Sequence, residues 1–235
     1  MAPITLGQVK IILSIITVIV ALISAVVEIR KNPDYWLNRF FALFFLFVAL
    51  GFGGFTVYHL ITTDASLTLA IMVTTNVLLN LSLACLLMTE FILQYSEVIA
   101  IKPKYLLIAF GLFLTSIVGY AIEYPTIEDM NLYNQGEVNT STDPILLAYI
   151  TLYRLAIVFY VLFKFVSLVK QAQAEKVKKQ LKLFSIGMIF IILGITLFLV
   201  GNLIAGTGGI VLEIIGQVCL NIGMIEIARG FLVKN

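Results

Sequence analysis

Residues 36–60 read WLNRFFALFFLFVALGFGGFTVYHL, and from Phe40 to Leu60 they contain no Asp, Glu, Lys or Arg. At 25 residues the run meets the ~20 of a helix crossing hydrocarbon. Six further stretches of the same kind fill most of the chain, and the spans are placed at 8–28, 36–60, 67–94, 104–122, 145–168, 181–203 and 207–229. The fold class expected is therefore an all-α membrane protein, a seven-transmembrane helix bundle forming one domain over residues 1–235.

Composition agrees, since 61% apolar and 12% charged residues, with a mean hydropathy of +1.07, exceed what a soluble surface tolerates. Of the 15 Lys and Arg residues, all except Lys10 and Arg154 fall on one side once the spans are threaded. Basic residues are retained in the cytoplasm, so the amino terminus is expected outside and the carboxyl terminus inside, in the cell membrane. Tyr35, Trp36 and Tyr105 then lie at inner helix ends, and Tyr58, Tyr120, Tyr124 and Tyr149 at outer ones, where amphipathic rings favour the headgroups. The net charge of +2 is small but unevenly placed, which points to oriented insertion against lipid rather than to nucleic acid. Lys10 and the small residues Ser24 and Ala25 give the first span the look of a secretory signal. Arg30 and Lys31 directly after it act as a stop-transfer flank, so it is expected to stay as an anchor.

Two connections stand out. The outer one, Glu123 to Asp143, is polar and acidic, carries the glycan acceptor sequence Asn139-Thr140-Ser141, and is expected to be a solvated connector rather than a ligand lid. The inner one, Val169 to Leu183, has no Gly or Pro and is rich in helix formers, so spans five and six should protrude. Its Lys170, Lys176, Lys178, Lys179 and Lys182 suit either anionic headgroups or a cytoplasmic signalling protein, with Glu175 and Lys179 in a favourable i, i+4 order.

Chemistry is sparse. Cys85 and Cys219 lie inside spans as free thiols, and His59 is the only histidine, so neither a metal nor a haem is expected. No GxSxG or HExxH occurs, His59 has only Asp64 as a local acidic neighbour, and no catalytic residue or enzyme activity is expected. Glu90 and Glu97 read as markers of the inner boundary of span three. Span seven has no interior lysine to carry retinal as in microbial rhodopsins, and the Pro-Gln pair of the PQ-loop sugar transporters is absent. No cofactor is implied.

Polarity at membrane depth is the informative signal, because an intramembrane charge costs at least about 2.5 kcal/mol and faces the bundle interior or a wet cavity. Arg154 sits about ten residues into span five, ~15 Å below the outer surface at 1.5 Å per residue. Glu213, Gln217 and Asn221 recur every four residues on one stripe of span seven, and Asn76 and Asn80 do so in span three. Depth counting predicts an Arg154–Glu213 ion pair or a shared polar cavity lined by spans three, five and seven. Three uses stay open: interhelical packing, a small-molecule or lipid pocket, and ion or proton conduction. Gly187, Gly194 and Gly201, seven apart, give span six a smooth face for a close neighbour. Spans one and four read as walls, and a homo-oligomer also stays open.

Asn38-Arg39-Phe40-Phe41-Ala42-Leu43, continuing through Leu46 to Ala49-Leu50, resembles the opening of the second helix in the seven-helix amino-terminal region of bacterial and archaeal histidine-kinase sensors. Gly51 departs from that pattern, where an aromatic residue is expected. The resemblance implies a sensor or receptor-like module for an extracytoplasmic or membrane-borne cue, and it carries over no catalytic residue. No dimerisation or kinase segment follows the seventh span within these residues, so output is expected through a separate partner. The alternative is a small transporter or channel using the Arg154 and Glu213 cluster.

Overall fold

A computed structural model describes residues 6–134, 138, 140–204 and 206–232. The elements run α1 (Leu6–Lys31), α2 (Trp36–Tyr58), α3 (Ala65–Tyr95), α4 (Glu97–Ala100), α5 (Pro103–Ile122), β1 (Thr126–Ile127), α6 (Met130–Asn134), β2 (Thr140–Ser141), α7 (Pro144–Gln171), α8 (Glu175–Leu203) and α9 (Thr207–Leu232). Seven of these helices, α1, α2, α3, α5, α7, α8 and α9, are long and apolar enough to cross a membrane. The chain is an all-α bundle of the multi-pass membrane class.

Local chemistry places the helix ends. The Asp64 side chain accepts from the Leu67 N–H to cap α3, and Asp143 accepts from Ile145 and Leu146 to cap α7, with Pro144 in the first turn. Pro103 likewise opens α5. The Asn38-Arg39 pair folds the turn that precedes it: Asn38 Nδ2 donates to Asn32 O at 3.2 Å, Arg39 Nε to Pro33 O at 2.6 Å, and the guanidinium covers Trp36 at 4.8 Å. Gly206, with φ +79, makes the tight turn between α8 and α9 that a side chain would strain.

Helix neighbours form a closed ring in the order α1, α2, α3, α7, α8, α9 and back to α1, while α5 lies outside it against α3 and α7. Accordingly α3 is the most enclosed helix and α5 the least. Span four is thus peripheral as expected, but span one is a working part of the ring. Its Ser14, Thr17, Ala21, Ser24 and Glu28 form a buried stripe of mostly small residues at helical spacing against α2 and α9.

The α8–α9 contact is the most extensive of all pairs. Gly187, Gly194 and Gly201 of α8 face Gly223, Gly216 and Gly209 of α9, whose glycines are also seven apart. A Cβ on Gly187 would meet the Gly223 carbonyl oxygen at 2.6 Å, and one on Gly194 the Gly216 oxygen at 2.8 Å. Two smooth faces therefore let the backbones touch.

The two ends of the bundle differ. The basic end, toward the α7–α8 turn, is solidly packed around Phe41, Phe45, Met88, Phe165, Phe184 and Met188, with Phe165 and Phe184 stacked at 3.9 Å. Glu90, expected at an interfacial boundary, is fully buried there. It lies on the face of α3 turned toward Tyr160 and Lys164 of α7. At the opposite end, β1 and β2 pair antiparallel, Thr126 with Ser141 and Ile127 with Thr140. This cap replaces the expected solvated connector, because Tyr133 of α6 is 2% exposed and bonds Thr68 of α3 at 2.9 Å. The acceptor residue Asn139 lies outside the described residues.

Helices α7 and α8 end and begin around Ala172, Gln173 and Ala174, leaving Lys170, Lys176, Lys179 and Lys182 exposed and Lys178 half-buried. Glu175 pairs with Lys178 at 3.7 Å rather than with Lys179.

Candidate functional site

Between the cap and the packed phenylalanine layer the ring encloses a cavity of about 810 Å³, lined from α1, α2, α3, α7, α8, α9 and the cap. This is within the ~300–1,000 Å³ of small-molecule sites.

Arg154 lies eleven residues beyond the Asp143 cap, ~16 Å down α7 at 1.5 Å per residue. Its Nε donates to Asn80 Oδ1 at 2.7 Å and its Nη2 to Asn76 Oδ1 at 2.8 Å. The carboxamide nitrogens point elsewhere, Asn80 Nδ2 to Ser116 Oγ at 3.1 Å on α5 and Asn76 Nδ2 to Met72 O at 3.1 Å. Both oxygens are thereby committed to the guanidinium. Asn76 and Asn80 are one turn apart on the face of α3 that meets α7, so two acceptors reach one cation. Among the described residues no carboxylate pairs with Arg154, and its Nη1 makes no hydrogen bond; the group borders the cavity with its charge uncompensated.

Glu213 does not pair with Arg154. It forms an ion pair with Lys10 of α1, and both line the cavity nearer the cap. Depth counting fails here because α8 stands between α7 and α9 in the ring, whereas α1 adjoins α9. The expected alternative, a shared polar cavity, is what joins the two groups: Asn76, Arg154 and Glu213 all line it, together with helices beyond the three anticipated.

Gln217 and Asn221 serve packing. Gln217 Nε2 donates to Thr17 Oγ1 at 3.2 Å, the Thr17 hydroxyl meets Asn221 Oδ1 at 2.7 Å, and Asn221 Nδ2 donates to Leu13 O at 3.2 Å. These bonds tie α9 to α1, and Gln217 is 1% exposed.

Lys10, His59 and Thr151 are site residues that reading by span did not find. For Lys10 the signal existed, as the one basic residue near the acidic side. His59 ends α2, its Nδ1 2.8 Å from Phe55 O and its ring against Phe55 and Tyr58. Burial, assisted by the positive charge of Lys10 and opposed by the bond to Phe55, pushes its pKa down to about 4, so the imidazole is neutral at pH 7.

Lys10, His59, Glu128, Asp129, Thr151, Arg154 and Glu213 are set among apolar Phe52, Phe55, Leu79, Ile195, Phe198 and Leu199, while Ser82, Leu86, Val158 and Met224, farther from the cap, are buried in the packed core. No protein-family model matches the chain, and neither do curated proteins or solved structures.

Proposed function

We propose that the protein is a receptor-like membrane sensor, with its basic end in the cytoplasm, that takes a ligand into the cap-side cavity and signals to a separate cytoplasmic partner. The observation that carries this reading is a ligand-sized cavity holding an uncompensated Arg154 above a closed aromatic core. A cation inside the bundle that has no acid among the described residues suits a group that arrives from outside the chain. Lys and Arg placement supports the orientation, and the likeness of Asn38–Leu50 to histidine-kinase sensors is in keeping with it. Helices α7 and α8 link the two ends, since Arg154 and Val158 touch the cavity while Lys170, Lys179 and Lys182 surround the turn at the basic end.

Transport is the alternative, but the phenylalanine layer beneath the cavity speaks against an open path. The test is photo-cross-linking in native membranes from positions Lys176 and Lys179, comparing wild type with a cavity-filling Leu199→Trp, a lining residue that is partly exposed. A cytoplasmic protein whose cross-linking yield changes on cavity filling supports the sensor. Absence of any adduct, or an unchanged yield, sinks it. Solute flux into liposomes that Glu213→Gln abolishes would instead establish transport.

A further inference from the structure

We infer that the cavity's ligand is a single-chain amphiphile with an anionic carboxylate head, held by that head at Arg154 with its apolar tail against the apolar wall of the cavity. This inference rests on the ligand-binding reading of the cavity and names the class of ligand.

The charges select the head. Lys10 and Glu213 neutralise each other, His59 is neutral at pH 7, and Glu128 and Asp129 line the cavity from the cap, where Glu128 is exposed and Asp129 caps α6 by accepting from Asn131 and Leu132. Water and salt screen those cap carboxylates far more than they screen a group ~16 Å inside the bundle. Among the described residues Arg154 is left as the charge that governs the interior. Two of its nitrogens are spent on Asn80 and Asn76, and Nη1 is left with two N–H groups for an acceptor. A carboxylate satisfies both the charge and those donors. A cationic or neutral head leaves the guanidinium unpaired.

Geometry selects the tail. Phe52 of α2, Leu79 of α3, Ile195, Phe198 and Leu199 of α8 and Leu220 of α9 line the same cavity with partly exposed apolar surface. A small inorganic anion would leave this apolar wall uncovered, and covering it with an alkyl chain is the larger favourable term. One chain suffices, because the cavity's floor is closed by the packed core.

The experiment measures binding of labelled decanoate to the full chain in nanodiscs, corrected for empty nanodiscs, against decanol, butyrate and decyltrimethylammonium. Decanoate should bind saturably, and each competitor about ten-fold or more weaker, the loss expected for a missing charge-assisted bond or a missing tail. Arg154→Gln should lower decanoate affinity to the level of decanol, and Leu199→Trp should block decanoate. If Arg154→Gln does not fold, the wild-type ligand series and Leu199→Trp decide the matter. Decanol or butyrate binding as tightly as decanoate, or decyltrimethylammonium binding best, overturns the assignment. The two readings fail separately. If decyltrimethylammonium fills the cavity and changes the cross-linking yield, the head assignment falls and the sensor stands. If decanoate binds, leaves the yield unchanged and is carried into liposomes, the ligand class stands and the sensor falls.

Discussion

Arg154 is held in the bundle by two carboxamide oxygens, and the strength of that arrangement can be measured. Asn80 is fully buried and serves Arg154 and Ser116 at once, so Asn80→Leu removes the acceptor of Nε and strands a donor in a dry seam. The expected loss is about 2–3 kcal/mol of unfolding free energy in detergent micelles, whereas Ser116→Ala, which breaks only a neutral bond, loses about 1 kcal/mol or less. Equal losses from the two would mean that the guanidinium does not depend on Asn80. His59 makes a prediction of opposite kind. Its pKa lies at about 4 in the folded protein against an ordinary 6.5, because burial and the charge of Lys10 disfavour the imidazolium. The unfolded chain therefore takes up the proton first: the stability contributed is complete above pH 6.5 and is lost as pH falls from 6.5 through 4. Thermal unfolding across this window should show wild type losing more stability than His59→Gln, and parallel profiles would refute the assignment. At this scale residue types and depth were legible in the chain. Partners were not, because depth is one coordinate and a hydrogen bond needs three.

The α8–α9 pair is the element whose packing the chain states most openly. Gly187, Gly194 and Gly201 were legible as one smooth face, and Gly209, Gly216, Gly223 and Gly230 carry the same seven-residue spacing in the facing helix. Because the opposing backbone cannot yield, Gly194→Ala places a Cβ 2.8 Å from the Gly216 oxygen. It should destabilise the bundle by about 1–3 kcal/mol through overpacking. Gly111→Ala in α5, where nothing lies within 4 Å, should be neutral or gain up to about 1 kcal/mol of helix propensity. Unfolding of the two variants in detergent checks the contrast, and a tolerated Gly194→Ala would mean that α8 and α9 are free to separate. The outer connection shows the reverse case. Its composition read as a loop, and only Tyr133 reaching Thr68 turns it into a cap over the cavity.

Across the whole molecule, six helices close a ring that is packed with phenylalanine at one end and hollow at the other, with α5 set outside. If the basic end is cytoplasmic, a membrane-impermeant maleimide should label Glu128→Cys on intact cells, and Lys179→Cys only after permeabilisation. The opposite pattern would invert the orientation. The seven spans, their polar residues and the basic bias were determined by the sequence alone, because hydrocarbon demands about 20 apolar residues per crossing and the signal lies within each segment. Which helices became neighbours was decided only in the tertiary structure, since ring order emerges from competition among all the faces at once. That order gave Arg154 to Asn76 and Asn80, gave Glu213 to Lys10, and left between them a cavity that no single segment encodes.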